Sequence, residues 1–197
     1  MNIFVQLAII AGKGVRQMTD MELIKLAESQ GFSAAVIDVR DVPVDGKFRP
    51  FCEENLCGQY NSNYSCPPTC GTVEQMHEKI LEGEKALVLK SQWPIESYQD
   101  LEGIRMGKST HNNAMLQLNE ILQKEGYHGL CAGGSCCSLC EPCHMVSGQP
   151  CAFPELRFSC MSAYCVDVAQ LAKRCGMEFV WDTQMLYIYG MIVLRKA

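Results

Sequence analysis

The sequence predicts an α/β fold, with α+β as its variant: a single-domain sandwich in which a mixed sheet with flanking helices carries two cysteine-rich loops. Three observations predict it. Apolar runs of strand length alternate with segments of helical periodicity. The 197 residues are 48% hydrophobic and 20% charged, which suits one core, and no linker divides the chain into two units. Thirteen cysteines, about 6.6% of the chain, fall almost wholly in two irregular stretches, about 52–71 and 131–165. The domain is expected to span 1–197.

Residues 1–10 alternate weakly and read as a first strand or an ordered arm. Thr19-Asp20-Met21-Glu22 is a capping-box pattern, with Leu23, Leu26 and Ala27 at helical spacing and Gly31 as the stop. Ser33 to Val39 reads as a buried strand. From 40 to 71, Pro43, Gly46, Pro50, Gly58, Pro67, Pro68 and Gly71 break every period, so a long irregular segment is expected. Thr72-Val73-Glu74-Gln75 opens a second helix, with Val73, Met76, Ile80 and Leu81 apolar and Gly83 at its end. Lys85 to Lys90 is a strand, and 91–108 a loop or short helix. Ser109 or Thr110 would cap a longer helix carrying Ala114, Met115, Leu118, Ile121 and Leu122, ended by Gly126. Tyr127 to Ala132 is a short strand running into Gly133-Gly134. Asp167 and Gln170 cap a helix from Val168 to Cys175. Glu178 to Trp181 and Leu186 to Leu194 are final strands at hairpin spacing.

Composition excludes several classes. Seventeen basic against 22 acidic residues give a net charge of −5, against a phosphate-backbone binder, so no nucleic acid is expected. No apolar run reaches membrane length; the best is Tyr187 to Leu194. The start, MNIFVQLAIIAGKG, has no positive n-region and no cleavage pattern, so no secretory leader is expected. Gly12-Lys13-Gly14 lacks the rest of a phosphate loop, and no hydrolase or dinucleotide fingerprint is present. An odd cysteine count and a core large enough to need no staples place disulfides last and a reducing cytoplasm first.

The chemistry lies in the cysteine spacing. The first group is Cys52-x4-Cys57-x8-Cys66-x3-Cys70, and the second Cys137-x2-Cys140-x2-Cys143-x7-Cys151. Each supplies four thiols, enough for a tetrahedral zinc or a cubane iron–sulfur cluster. A Cys-x2-Cys-x2-Cys triple presents a sulfur every third residue and wraps one face of a cubane, as in bacterial ferredoxins. Those continue with a cysteine three residues on followed by proline, whereas here Cys151 comes later and is preceded by proline. A triple over-supplies a zinc half-site, and the first group contains no Cys-x2-Cys. Both facts favour one or two [4Fe-4S] clusters over zinc. Cys136 and Cys160 are alternative ligands. Cys175 reads as a buried apolar thiol, and Cys131 is open between the two roles. His144 reads as a loop histidine rather than a ligand, and His77 and His111 as solvent-facing helix residues.

These residues carry a resemblance. Cys52…Leu56-Cys57-Gly58-Gln59-Tyr60…Ser65-Cys66-Pro67-Pro68-x-Cys70-Gly71 resembles the first signature of the predicted metal-binding proteins called domain of unknown function 2284. Gly134-Ser135-Cys136-Cys137-Ser138-Leu139-Cys140-Glu141-Pro142-Cys143, then Pro150-Cys151-x2-Pro154-x2-Arg157-x-Ser159 and Met161 to Val168, continue in that family's order. The resemblance implies a bacterial or archaeal, mostly anaerobic protein with a cysteine-bound metal and no established reaction. Two positions depart from it. Ser162 stands where the family tends to carry glutamate, and Cys165 where it tends to carry glycine.

The resulting expectation is a cytoplasmic iron–sulfur protein acting in electron transfer, or as the redox component of a larger system with a redox partner protein. Two other readings stay open: a zinc-stabilised interaction module, and an iron–sulfur enzyme with an open cluster site. The sequence singles out no catalytic residue and carries no signal of oligomeric state.

Overall fold

The computed structural model describes residues 17–196. The expected first strand at 1–10 and the Gly12-Lys13-Gly14 fragment lie outside these residues. Five strands, β1 (Ser33–Asp38), β2 (Lys85–Pro94), β3 (Tyr127–Gly133), β4 (Ser159–Cys160) and β5 (Met185–Lys196), form one mixed sheet in the order β1-β2-β5-β3-β4. Neighbours run antiparallel except β3 and β4, which are parallel.

Side chains alternate across a strand, so the sheet has two faces that the sequence must serve in turn. Ala86 and Val88 of β2, with Met191 and Val193 of β5, point into one core, and Leu87, Leu89, Ile192 and Leu194 into the other. Helices α1 (Asp20–Ser29) and α4 (Leu101–Lys124) cover the second face through Leu23, Ala27, Met115, Leu118 and Leu122. Helices α3 (Val73–Leu81) and α5 (Val168–Arg174) cover the first through Met76, Ile80 and Leu171, together with Met161, Ala163 and Tyr164 of the second cysteine-rich segment. The apolar run of β5 follows from this: it is central, and covered on both faces.

Local signals fix the helix starts. Thr19 and Glu22 close a reciprocal capping box on α1, and Thr72 and Gln75 another on α3. Asp167 caps α5, and Gly176, at φ +64°, follows its end. A short helix, α2 (Arg49–Glu53), interrupts the irregular 40–71 segment.

Three expectations are corrected. Helix α4 begins at Leu101, capped by Asp100, whose Oδ1 accepts from Gly103 N–H at 2.8 Å, and β2 continues to Pro94. Gly107 within the helix is a contact point: a Cβ there would lie 3.1 Å from Trp93 Cγ, so glycine lets α4 approach β2. Glu178 to Trp181 is not a strand. Both edges of β5 are already taken, by β2 and β3, so no hairpin partner can add there. Instead the Glu178 carbonyl accepts from Lys90 Nζ at 2.6 Å and Tyr189 O–H at 2.8 Å. His111 is not solvent-facing. It is fully buried, its Nδ1 lies 2.7 Å from Ser91 Oγ, and Trp93 Nε1–H donates to that same oxygen at 2.9 Å. Burial lowers its pKa to about 4.

Candidate metal centre

All thirteen cysteines are free thiols. Their placement starts from the end of β3. Beyond Gly133 the chain passes beneath α4, where Asn112 holds it: Gly134 N–H donates to Asn112 Oδ1 at 3.1 Å, and Asn112 Nδ2 donates to Ser135 Oγ at 2.9 Å. A Cβ on Gly134 would meet Ile188 Cγ2 at 2.1 Å, so this close passage requires glycine. The loop thus leaves the sheet at a fixed point and presents Cys136 and Cys137.

These two neighbours serve different clefts. Cys137, Cys140, Cys143 and Cys151 line one cavity with Asn63, Tyr64, Ser65, Leu139, Phe153 and Arg157. The Leu139 and Phe158 backbone N–H groups and the Ser65 hydroxyl favour the charged form of the Cys137 sulfur, while burial, the larger effect, pushes its pKa up. Such N–H···S bonds are the ordinary means of tuning a thiolate bound to metal. After Cys143 a 3-10 turn, His144–Ser147, ends at Gly148 with φ +68°, which brings the chain back to Cys151. His144 is exposed, with Nδ1 3.3 Å from the Pro150 carbonyl.

A second group of thiols joins residues far apart in sequence. Strand β4 lies parallel to β3 with Cys160 opposite Gly133, which places Cys160 next to the loop carrying Cys136. The Cys66 thiol hydrogen-bonds to both Cys136 and Cys160. Cys66, paired with Cys136 and with Cys160, is shifted up, while Cys136 is shifted down and Cys160 falls to about 7. The Cys160 sulfur also accepts from the backbone N–H groups of Ala163 and Ser162. Cys52 is half-buried at the edge of this group, its Sγ 3.8 Å from the Ser162 carbonyl, and burial raises its pKa to about 11. Cys70 is buried, and its Sγ lies 3.8 Å from the Gly71 carbonyl.

Arg49 stands among these thiols. Only 9% of it is exposed; Nη2 donates to the Ala163 carbonyl at 3.1 Å and the Gly71 carbonyl at 3.4 Å, and Nη1 has no partner. Its positive charge acts on Cys52, Cys70 and Cys165.

The two cysteine loops pack on each other. Tyr64 O–H donates to the Gln149 carbonyl at 2.9 Å, and the Arg157 guanidinium sits 5.8 Å from the Tyr64 ring centre. Cys136 Sγ lies 3.5 Å from Gln59 Oε1. Of the residues singled out by spacing, the structure gathers Cys137, Cys140, Cys143 and Cys151 around one cavity. It divides the first group: Cys66 faces Cys136 and Cys160, Cys52 and Cys70 flank Arg49, and Cys57 is exposed. As the side chains stand, no three or more His, Cys, Asp or Glu groups among the described residues close to the spacing of a single-ion site. The donor chemistry of both clefts is nevertheless thiol-only, the soft set that suits iron–sulfur clusters or zinc.

Cys131 and Cys175 lie elsewhere, buried in β3 and half-buried after α5, with pKa values pushed up by burial to about 12 and about 11. Sequence reasoning missed Arg49 and Asn112. The one signal for Arg49 is its place three residues before Cys52; Asn112 carries none, because its role depends on β3 passing beneath α4.

A profile of the family described as "Predicted metal-binding protein (DUF2284)" matches residues 35–194. The chain belongs to this family. No curated protein and no solved structure matches it. The span matched to DUF2284 contains both clefts and Arg49. One departure from the family pattern gains a physical reason. Cys165 has φ +55°, in the left-handed region that favours glycine, so the backbone there keeps a glycine conformation while carrying a buried thiol. Ser162, the other departure, is exposed beside Cys52. Among the described residues no helix is long and apolar enough to cross a membrane.

Proposed function

We propose that this DUF2284 protein is an iron–sulfur protein that binds one or two [4Fe-4S] clusters and passes electrons, as a carrier or as the redox component of a larger system. One observation carries the reading: Cys137, Cys140, Cys143 and Cys151, spaced as a cubane-wrapping triple plus one, line a single cavity beside a second thiol cleft. When bound, such a cluster supplies one-electron chemistry at thiolate-held iron.

The chain's own residues would do the rest. Leu139 and Phe158 N–H groups and the Ser65 hydroxyl stabilise charge on the Cys137 sulfur. Ala163 and Ser162 N–H groups do the same for Cys160. Arg49 supplies a buried positive charge. Cys136 and Cys137 are adjacent, about 3.8 Å between Cα atoms, so the two clefts share a wall one residue thick. That proximity favours electron exchange between them. Free thiols in this number suit a reducing cytoplasm, and a net charge of −5 is compatible with docking to a basic partner protein.

The test is anaerobic purification followed by a visible spectrum with iron and sulfide analysis of the same sample. A broad shoulder near ~400 nm, with iron and sulfide each about eight per chain, is expected for two cubanes. A colourless protein carrying zinc and no sulfide overturns the redox reading and leaves a structural metal module.

A further inference from the structure

We propose that Tyr98, Phe179 and Trp181 form a docking surface for a basic, arginine-bearing segment of a partner protein. The proposal rests on the fold and its charge pattern, and it holds with or without metal in the cysteine loops.

Three observations carry it. The first is a run of exposed rings. The stretch from Glu178 to Trp181 forms no strand, yet it is pinned across β2 and β5, because the Glu178 carbonyl accepts from Lys90 and from Tyr189. It therefore displays Phe179 and Trp181 outward, 40% and 79% exposed. Trp181 meets Phe179 edge-on at 6.0 Å between ring centres, and Tyr98, from the segment before α4, at 6.0 Å with a 56° tilt. Phe179 continues the run inward to Tyr189 at 5.9 Å. Contiguous exposed apolar groups, unlike single ones, mark an interaction surface. Tryptophan and tyrosine are the residues that most often dominate binding at such a surface.

The second is charge. The segments that supply these three rings, 92–102 and 176–187, hold five carboxylates, Glu96, Asp100, Glu102, Glu178 and Asp182, and no lysine or arginine. Their net charge therefore equals that of the whole chain, −5. Asp100 caps α4; the other four are exposed and have no ion-pair partner among the described residues. Such a rim attracts cations and repels phosphate, which disfavours nucleic acids and anionic lipid surfaces. It also disfavours a second copy, because a two-fold contact would set the same carboxylates against each other.

The third is Lys90. Its Nζ lies 4.8 Å from the Tyr187 ring centre and 5.7 Å from that of Tyr189, at the inner end of the run. The inner rings thus already hold a cation of the chain's own. Trp181, with most of its surface in solvent, offers the same contact to a cation from outside, and tryptophan is the best ring for it. Arginine suits the place better than lysine, since its planar guanidinium stacks on a ring while its N–H groups reach a carboxylate.

The test titrates the purified protein with a short peptide alternating arginine and leucine, and with its glutamate–leucine counterpart, following Trp181 emission. Trp93 is the other tryptophan, so the emission lost in Trp181→Phe identifies the Trp181 component. In the free chain that component should resemble indole in water. The arginine peptide should change it saturably, the glutamate peptide should not, and rising salt should weaken binding. By calorimetry, Trp181→Ala should weaken binding about tenfold or more, and Glu178→Gln with Asp182→Asn severalfold. Glu28→Gln with Glu120→Gln removes the same charge from exposed positions on α1 and α4 and should leave binding unchanged. All the substituted side chains are exposed, so loss of folding does not confuse the result.

No saturable change, equal binding of both peptides, or equal loss from the two double variants overturns the proposal. Trp181 emission of the buried kind in the free chain means that the chain covers this surface itself. A dimer that Trp181→Ala dissolves, seen by sedimentation, assigns the surface to a second copy. Either result also overturns it.

Discussion

Asn112→Ala tests whether α4 holds the start of the second cysteine loop. Asn112 is 1% exposed, and its amide makes both contacts that tie down Gly134 and Ser135. Truncation leaves the Gly134 N–H, under α4 and against Ile188, without an acceptor, which costs about 1–3 kcal/mol. Loss of the hydrogen bond to Ser135 Oγ adds about 0.5–1.5 kcal/mol. The expected destabilisation is therefore about 1.5–4.5 kcal/mol. Ser135→Ala, which removes only the second bond, should cost about 0.5–1.5 kcal/mol. Urea unfolding of the metal-free chain under reductant measures both, with the slope checked for constancy. The loop carries Cys136 and Cys137 into separate clefts, so Asn112→Ala should also lower metal content at both. A loss below about 0.5 kcal/mol, typical of an unconstrained surface change, would refute the reasoning.

Three further predictions follow from particular residues. At Cys165, φ +55° reverses the usual ranking of small residues, so Cys165→Gly should be more stable than Cys165→Ala by about 1 kcal/mol in chemical denaturation; the ordinary order, alanine ahead, would contradict the strained backbone. His111 has a folded pKa of about 4 against an unfolded value of about 6.5, so the unfolded state takes up the proton first. Its contribution is present above pH 6.5 and is lost as pH falls toward 4, about 2 kcal/mol between pH 7 and pH 5. The difference in stability between the natural protein and His111→Gln, measured at both pH values, isolates this effect, and a pH-independent difference would contradict it. Metal extraction should raise amide exchange in 52–71 and 134–158 while β2 and β5 stay protected, because the two sheet cores are built from side chains outside those loops apart from a few such as Cys70 and Phe158; uniform exchange would mean that the metal holds the whole fold.

Much of the fold was legible because its signals are local. Two capping boxes, the glycines after α1 and α5, and the strand runs at 33–38, 85–90 and 186–194 need only neighbouring residues to be read. The failures share a cause. The cap of α4 lies at Asp100 rather than at Ser109 or Thr110, and Gly107 inside the helix is set by contact with Trp93 on β2, which no local signal reveals. His111 was placed in solvent because a helix position says nothing of which strand it meets; Ser91 and Trp93 supply its polar partner from β2. Glu178 to Trp181 has the pattern of a strand, but a strand needs a free edge, and edge occupancy belongs to the whole sheet.

The same division runs through the candidate site. Cys137, Cys140, Cys143 and Cys151 lie within fifteen residues and line one cavity, so spacing alone groups them. The Cys66, Cys136 and Cys160 contact spans nearly a hundred residues and depends on β4, a two-residue strand too short for any periodicity to reveal. Arg49 is an arginine inside a proline- and cysteine-rich loop, and only the fold buries it beside Cys52, Cys70 and Cys165. The two clefts are also joined by adjacent residues taken in turn: Ser65 faces Cys137 while Cys66 faces Cys136. Residues 61–70 are a run of turns rather than a strand, so no periodicity in the sequence marks this change of side. A change of charge in one cleft therefore acts on backbone that also shapes the other.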